Sequence, residues 1–334
     1  MKRNIGIAIL ALCGICLIVF AMMAAGAKPM EAFQGLIKGS LGSPAAIAGT
    51  LRETTPLLIA GIAVFFALRA GLFNIGVEGQ LTVGACACAF VVLKIPGPFG
   101  IVLGTIAGMV AGGLWAMPAG LIKAYRGGHE VITTIMLNNV AGLFTLALVS
   151  GPMKDPTLAG TTTANIAESS HLPAVYDQNS LTISLALVFG LVGAIYLAGW
   201  FKRTVAGYEV RAVGANPTAA AVAGISAKNV IVRAMTTSGM IAGFAGAMQV
   251  LAFEHRFYGG FSPGYGFDAL GVALLAGQSA FGLIPSSLLF GILAKGGTAI
   301  QIYGVPKGIT TVILGVLIVV AAAIRYRKAK AVES

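Results

Sequence analysis

The chain has 334 residues, 57% of them apolar and 10% charged, with a mean hydropathy of +0.90. A soluble domain carries about 25% charged residues, so a water-facing enzyme, a disordered chain and a collagen-like fibre are excluded. The net charge of +11 comes without a basic block interleaved with aromatics, so it reads as charge in membrane-flanking loops and not as a nucleic-acid surface.

Taken in chain order, uncharged apolar runs near the ~20 residues that a bilayer needs predict ten spans. Residues 5–27 give the first, preceded by Lys2 and Arg3. A cleaved signal peptide ending near Ala25-Gly26-Ala27 is the competing reading, but its apolar part would be too long. Further spans are expected at 54–68, 79–93, 97–122, 131–150, 181–201, 234–253, 267–281, 284–302 and 306–324. With the N-terminus inside, the inside loops hold about twice as many Lys and Arg as the outside loops. That bias predicts an N-in, C-in all-α integral membrane protein.

The 46 glycines have a pattern. Gly104, Gly108 and Gly112 recur every four residues, as do Gly239 and Gly243, so each set lines one helix face and permits close helix contact. Cys13 and Cys16 have a C-x-x-C spacing, but inside an apolar run with no His or second such pair near, so the four cysteines read as small packing residues.

The spans 54–68 and 79–93 are short, and between them runs Gly71-Leu72-Phe73-Asn74-Ile75-Gly76-Val77-Glu78-Gly79-Gln80. Gly264-Tyr265-Gly266-Phe267-Asp268-Ala269 is similar, with Gly76-x-Glu78-small matching Gly266-x-Asp268-small. Glycine-interrupted segments at corresponding places in two halves point to an inverted pseudo-repeat. Asn138 and Asn139 sit inside another apolar span, about 100° apart on a helix, so at most one faces a narrow path squarely. The alternative is hydrogen bonding between helices.

No G-x-x-x-x-G-K-[ST], H-E-x-x-H or G-x-S-x-G occurs, and His129, His171 and His255 lack metal-like spacing. The chain therefore reads as no enzyme, with neither a catalytic nor a metal site. The outside loop 151–180 is either a docking surface or a solvated connector. The inside loop 202–228 holds Gly207-Tyr208-Glu209-Val210-Arg211, then Asn216-Pro217, an N-cap followed by Pro at the first helical turn. Thr218 to Ala223 reads as a short helix that Gly224 ends, with Ala220 expected on a docking face.

Thr218-Ala219-Ala220-x-x-x-Gly224 resembles the EAA-x-x-x-G loop by which permeases of ATP-binding-cassette importers engage their ATPase, with Thr218 where that motif has an acid. The segments Gly71–Gln80, His129–Asn139, Gly207–Ile225 and His255–Asp268 resemble permeases of the ribose and branched-chain amino-acid family, and among them the nucleoside and simple-sugar subgroup. The resemblance covers roughly residues 50–324. It implies one transmembrane permease domain over 1–334, with helix 1 at 5–27. Half-repeats would lie at about 53–150 and 229–324, separated by the external loop 151–180 and the coupling loop 202–228. It also implies a second permease subunit, sister or identical, an extracytoplasmic solute-binding lipoprotein, and ATPase subunits that use the ATP and Mg while this chain binds no cofactor.

The expected coupling residues are Gly207, Tyr208, Glu209, Arg211, Asn216, Pro217, Thr218, Ala219, Ala220 and Gly224. The expected path residues are Phe73, Asn74, Glu78, Gln80, Asn138, Asn139, Phe257, Tyr258, Tyr265, Phe267 and Asp268. Aromatic faces and uncharged hydrogen-bonding groups suit a nucleoside. A simple sugar such as ribose in the same importer class is the alternative, as is a stand-alone secondary transporter. The last would need ionisable groups at mid-bilayer, where only Lys295 is a candidate.

Overall fold

In the computed structural model the described residues are 28–306, with scattered single positions between 16 and 26 and between 308 and 319. The expected spans 5–27 and 306–324 lie, but for those positions, outside the described residues.

The first described helix, α1 (Pro29–Leu41), was not expected. It buries Ala32, Gly35, Leu36 and Ser40, a helical one-face pattern, against α11 (Leu283–Ala299). Ser43 then caps α2 (Pro44–Arg69): its Oγ accepts the Ala46 N–H at 3.1 Å, with Pro44 at the first turn. Helix α2 is ten residues longer at its start than the expected span. It takes in Arg52 and Glu53, which find partners in Glu254 and Tyr265. Every residue from Thr54 to Ala67 is buried, so α2 is the central post of the bundle.

Helices α3 (Val77–Lys94), α4 (Pro98–Arg126), α5 (Glu130–Ser150) and α6 (Leu185–Arg203) follow the expected spans closely. Helices α7 (Val205–Ala215) and α8 (Pro217–Val222) are short. Helix α9 (Ala227–Gln249) runs into a π-helical turn at Val250–Glu254. Helix α10 (Tyr265–Ala276) has 12 residues, about 18 Å at 1.5 Å per residue, which does not cross a bilayer.

The protein is thus a predominantly helical membrane protein. Among the described residues seven helices are long and apolar enough to span: α2 to α6, α9 with its π turn, and Ala280–Ile302 around α11. The expected span 267–281 resolves into the short α10 and a turn.

The bundle has a basic end, where Arg69, Arg126, Lys202 and Arg203 close α2, α4 and α6. The glycine faces meet: among the described residues α4 and α9 are the most extensively packed helix pair. A methyl group on Gly112 would collide with the Gly239 carbonyl, and one on Gly243 with the Gly108 carbonyl. The closeness of these backbones is van der Waals packing that no larger residue permits. Cys86 and Cys88 are buried packing residues of α3.

Two departures occur at the far end. An antiparallel hairpin of β1 (Ala174–Gln178) and β2 (Leu181–Ser184) interrupts the expected all-α chain. Its two-residue turn, Asn179-Ser180, has positive φ at both positions, the mirror-image turn that matches strand twist. Most of the loop before it is exposed, but it is not a free connector. Thr163 N donates to Phe257 O at 2.9 Å, Ile166 N to His255 O and Leu172 N to Leu251 O, both at 2.8 Å. The loop is clasped to the segment that leaves α9.

Candidate functional site

Helix α2 ends in a turn at Gly71, whose φ of +73° suits glycine. The chain then folds back into the bundle. Asn74 is fully buried there. Its Nδ2 donates to Gln80 Oε1 and to Ser238 Oγ, both at 2.8 Å. Its Oδ1 accepts from Gly76 N at 3.1 Å and from Gln80 Nε2 at 3.0 Å. Ser238 donates in turn to the Ala63 carbonyl at 2.7 Å. This network ties the start of α3 to α2 and α9 and leaves the Asn74 amide fully paired, as a buried polar group requires.

Helix α10 starts in the same place from the opposite direction. After the π turn, residues 255–264 descend from the far end. Ser262 Oγ accepts the N–H groups of Gly264 and Tyr265 at 3.3 Å each, which opens the helix. Glu78 Oε2, in the first turn of α3, accepts the Gly266 N–H at 2.7 Å. A methyl group at Gly266 would collide with the Glu78 backbone. The two glycine-rich segments that look alike in sequence therefore touch. Tyr265 donates to Glu53 Oε2 at 3.0 Å, which fixes α10 to α2.

The junction is deep. Asn138 Oδ1 accepts from Gly79 N and its Nδ2 donates to Ile75 O, both at 2.9 Å. Asn138 lies about 12 Å inside the basic end of α5, and Glu53 about 14 Å inside the opposite end of α2, at 1.5 Å per residue. Two helix N-termini, each a partial positive charge, meet inside the bundle with the acids Glu78 and Asp268 in their first turns. From there α3 runs to the far end. Helix α10 runs to the basic end, where the residues after it share a cavity with Arg69 and Lys202.

The expected path residues divide. Phe73 and Phe267 are exposed, at 45% and 49%. Asn139 is exposed and donates back to Ile135 O at 3.2 Å, whereas Asn138 bridges helices. Asp268 is half-buried. Phe257 is buried, with its ring stacked on Phe261 at 4.9 Å, so it offers no free face. Tyr258 sits toward the far end and donates to Glu254 Oε2 at 3.2 Å. Glu53, Ser238 and Ser262 were missed: Glu53 read as a span end, and Ser238 hid beside Gly239 in the glycine face.

At the basic end, Thr204 Oγ1 accepts from Gly207 N and caps α7. Asn216 Oδ1 accepts from Ala219 N at 3.0 Å with Pro217 behind it, and Gly224 has φ +82°. The cap, helix and stop stand as their residue types dictate, but α7 ahead of them was not foreseen. Ala220 is buried and faces the chain itself, contrary to expectation. Thr218, Ala219, Ala221 and Val222 are exposed, Val222 at 88%. Tyr208 is exposed, and Glu209 and Arg211 are half-buried. Gly214, at the end of α7, packs on Gly71: a methyl on Gly214 would collide with the Arg69 carbonyl. The α7–α8 unit therefore rests directly on the turn that leads to Asn74 and Glu78.

Outside the spans, burial holds the His255 imidazole below its usual pKa, with His171 and Arg52 adding to the effect. The two histidine rings stack at 3.6 Å.

Comparison with known proteins agrees with this architecture. Residues 46–322 match the family described as the branched-chain amino acid transport system permease component. The chain is 36% identical to the guanosine ABC transporter permease protein NupP of Bacillus subtilis, over 91% of this chain and 90% of that one. It is 31% identical to the nucleoside ABC transporter permease protein NupB of Lactococcus lactis, over 96% and 92%. It is 32% identical to the glucose ABC transporter permease protein TsgB13 of Haloferax volcanii, over 89% and 81%. No solved structure matches. With seven apolar helices long enough to span among the described residues and a family match over most of its length, the chain belongs to the permease components of branched-chain amino-acid-type ABC transport systems and is a multi-pass membrane subunit, not itself an enzyme.

Proposed function

We propose that the chain forms the translocation path of an ATP-driven importer of nucleosides and works by alternating access. The observation that carries this reading is the junction inside the bundle, where α3 and α10 begin with their N-termini together. Broken helices with facing ends are how transporters place polar groups at mid-membrane without exposing backbone to lipid. The exposed groups next to the junction residues in sequence are the rings of Phe73 and Phe267 and the Asn139 side chain, whose oxygen is free to accept while its nitrogen bonds its own helix. They suit a flat base and a hydroxyl-rich sugar that carry no fixed charge. The relatives named for guanosine and for nucleosides support the same solute class. The relative named for glucose keeps a simple sugar as the second reading.

In this proposal the basic end is cytoplasmic, by the bias of Lys and Arg. The chain crosses the membrane ten times, N-in and C-in, with the descending segment 255–264 and the short α10 together making one crossing, and two half-repeats at about 53–150 and 229–324 run in opposite senses. The matched starts of α3 and α10, which run to opposite ends, support that inversion. A sister or identical permease completes the path, and a lipoprotein delivers the solute at the far end, where loop 151–180 lies. ATPase subunits dock on the 202–228 loop and use the ATP and Mg. Closure of the ATPase pair would push α8 and α7, and the Gly214–Gly71 contact would carry that push to the junction.

Proteoliposomes holding the assembled importer test the reading. With ATP inside and binding protein outside, they should accumulate labelled guanosine, and excess unlabelled uridine or adenosine should compete while ribose does not. Competition by ribose alone would move the assignment to sugars.

A further inference from the structure

A cavity of about 410 Å³ lies at the far end of the bundle, where the first turns of α2, the last turns of α11 and the β1–β2 hairpin meet. Lys295 of α11 lines it. This lysine is the cation that the hydropathy pattern leaves within a span, and it stands about 10 Å inside the end of the apolar stretch Ala280–Ile302 at 1.5 Å per residue. Gly49 of α2 makes room for it: a methyl group there would collide with Lys295 Cε and stand 3.0 Å from Nζ. Among the described residues the ammonium has neither an ion pair nor a hydrogen bond. Ionisable groups inside a membrane are costly and are retained where they face a cavity and meet a partner. Lys295 has the cavity, and no group of this chain supplies the partner.

The other lining groups say what the partner carries. Arg52 adds a second cation, whose Nη2 donates to Glu254 Oε1 at 2.9 Å. Glu254 is thereby engaged by Arg52, and no Asp or Glu is among the lining residues. Ser184 Oγ accepts the Ala186 N–H at 3.1 Å, which leaves its hydroxyl proton to donate. Thr55 donates to Leu51 O at 2.8 Å and Thr182 to Asp177 Oδ1 at 2.7 Å, so both turn only lone pairs to a ligand. His255 Nδ1 is buried without a partner among the described residues. The cavity thus offers cationic donors beside hydroxyl acceptors, in a volume within the ~300–1,000 Å³ of small-molecule sites. A bare anion would leave the two threonine acceptors unused, and a neutral polyol would leave the ammonium without a counter-charge. We infer that this cavity binds a phosphate ester that carries hydroxyl groups, with Lys295 on the phosphate and Thr55 and Thr182 on the hydroxyls. A phosphatidylglycerol headgroup and a soluble polyol phosphate present this same chemistry. The side of the membrane that the site faces rests on the proposed orientation; the site itself does not depend on the nucleoside reading.

The test is equilibrium binding of radiolabelled glycerol 3-phosphate to the purified full-length chain in phosphatidylcholine nanodiscs, alone and in the assembled importer. The wild type should bind the label, and inorganic phosphate should compete while glycerol does not. Lys295→Gln should weaken binding about tenfold, the loss expected for one hydrogen bond to a charged group. Thr182→Val, on the exposed hairpin, should weaken binding of the label and leave the inhibition constant of inorganic phosphate unchanged. Lys38→Gln, at an exposed cation of α1 that does not line the cavity, should change neither, which separates a site from general surface charge. The thermal unfolding midpoint of each variant confirms that it is folded. No binding by the wild type, or equal binding by the wild type and Lys295→Gln, would overturn the inference. So would competition by glycerol as strong as by inorganic phosphate, which would make the cavity a neutral polyol site. Loss of the label on assembly would overturn it too, and would assign Lys295 to an acidic side chain of a partner. The same measurement in phosphatidylglycerol nanodiscs identifies the source. Suppressed binding of the label there means that the lipid headgroup fills the site, and unchanged binding means a soluble ester; either result supports the site. Binding is read without transport, so failure of nucleoside uptake leaves this result standing.

Discussion

The Glu78 carboxylate accepts the Gly266 N–H at 2.7 Å, so a side chain of α3 caps α10 across 188 residues of sequence. Helix N-termini leave backbone donors without partners, and deep in the bundle water does not serve them. Glu78→Ala should therefore lower stability by about 1–3 kcal/mol, the cost of a buried donor left unpaired. Glu78→Gln keeps an acceptor oxygen and should retain most of it. Thermal unfolding midpoints of the purified chain compare the two; equal losses would mean that Glu78 acts by charge and not as a cap.

The Asn74–Ser238 bond at 2.8 Å joins the start of α3 to α9. Asn74→Ala and Ser238→Ala should be non-additive, with a coupling energy near the ~0.6 kcal/mol average for hydrogen bonds between membrane helices and below ~1.7. A double-mutant cycle on unfolding measures it. Full additivity would show that the two residues act separately.

At the coupling loop the structure separates two alanine-helix positions. Val222 is exposed and Ala220 buried. Val222→Asp should leave the chain folded and abolish solute-stimulated ATP hydrolysis in the assembled importer. Ala220→Glu should destabilise the chain itself, because an unpaired buried charge costs several kcal/mol. Normal stimulated hydrolysis in Val222→Asp would remove α8 from the coupling role.

Burial, then His171 and Arg52, depress the pKa of His255, with Glu254 opposing. In the unfolded chain the imidazole titrates near its ordinary value of about 6.5. As pH falls through that value the unfolded chain takes up the proton first, so the stability supplied by neutral His255 is complete above about 6.5 and is lost as pH falls toward the folded pKa. The His255 carbonyl holds Ile166 N, and Leu172 N bonds to Leu251 O nearby. Amide exchange at Ile166 and Leu172, corrected for intrinsic rate, should therefore speed up at acid pH. His255 has φ +54°, which Asn tolerates, and His255→Asn should remove the pH dependence. Unchanged acid-induced exchange in that variant would place the sensitivity elsewhere.

What could be read from sequence was local. The Asn216 cap, Pro217 and Gly224 define α8 through bonds within four residues. The glycine spacing of α4 and α9 predicts a close face because period alone places those residues together. The likeness of the Gly76 and Gly266 segments pointed to a paired feature. Their contact was not legible, since Glu78 and Gly266 meet only after folding. Arg52 and Glu53 made α2 look short: charges read as span ends until Glu254 and Tyr265, more than 200 residues away, supply their partners. Helix α1 was missed because its 13 residues, broken by Glu31 and Lys38, are too short and too charged to read as a span, and its cover, α11, lies far along the chain. The cavity between Arg69, Lys202 and Arg211 likewise exists only where three helix ends converge.

The central claim is that this chain carries nucleosides across the membrane. Cells with and without the gene should be compared for uptake of radiolabelled guanosine, adenosine, uridine and ribose. The account predicts that loss of the gene abolishes nucleoside uptake and leaves ribose uptake unchanged. Loss of ribose uptake with nucleoside uptake untouched would contradict it.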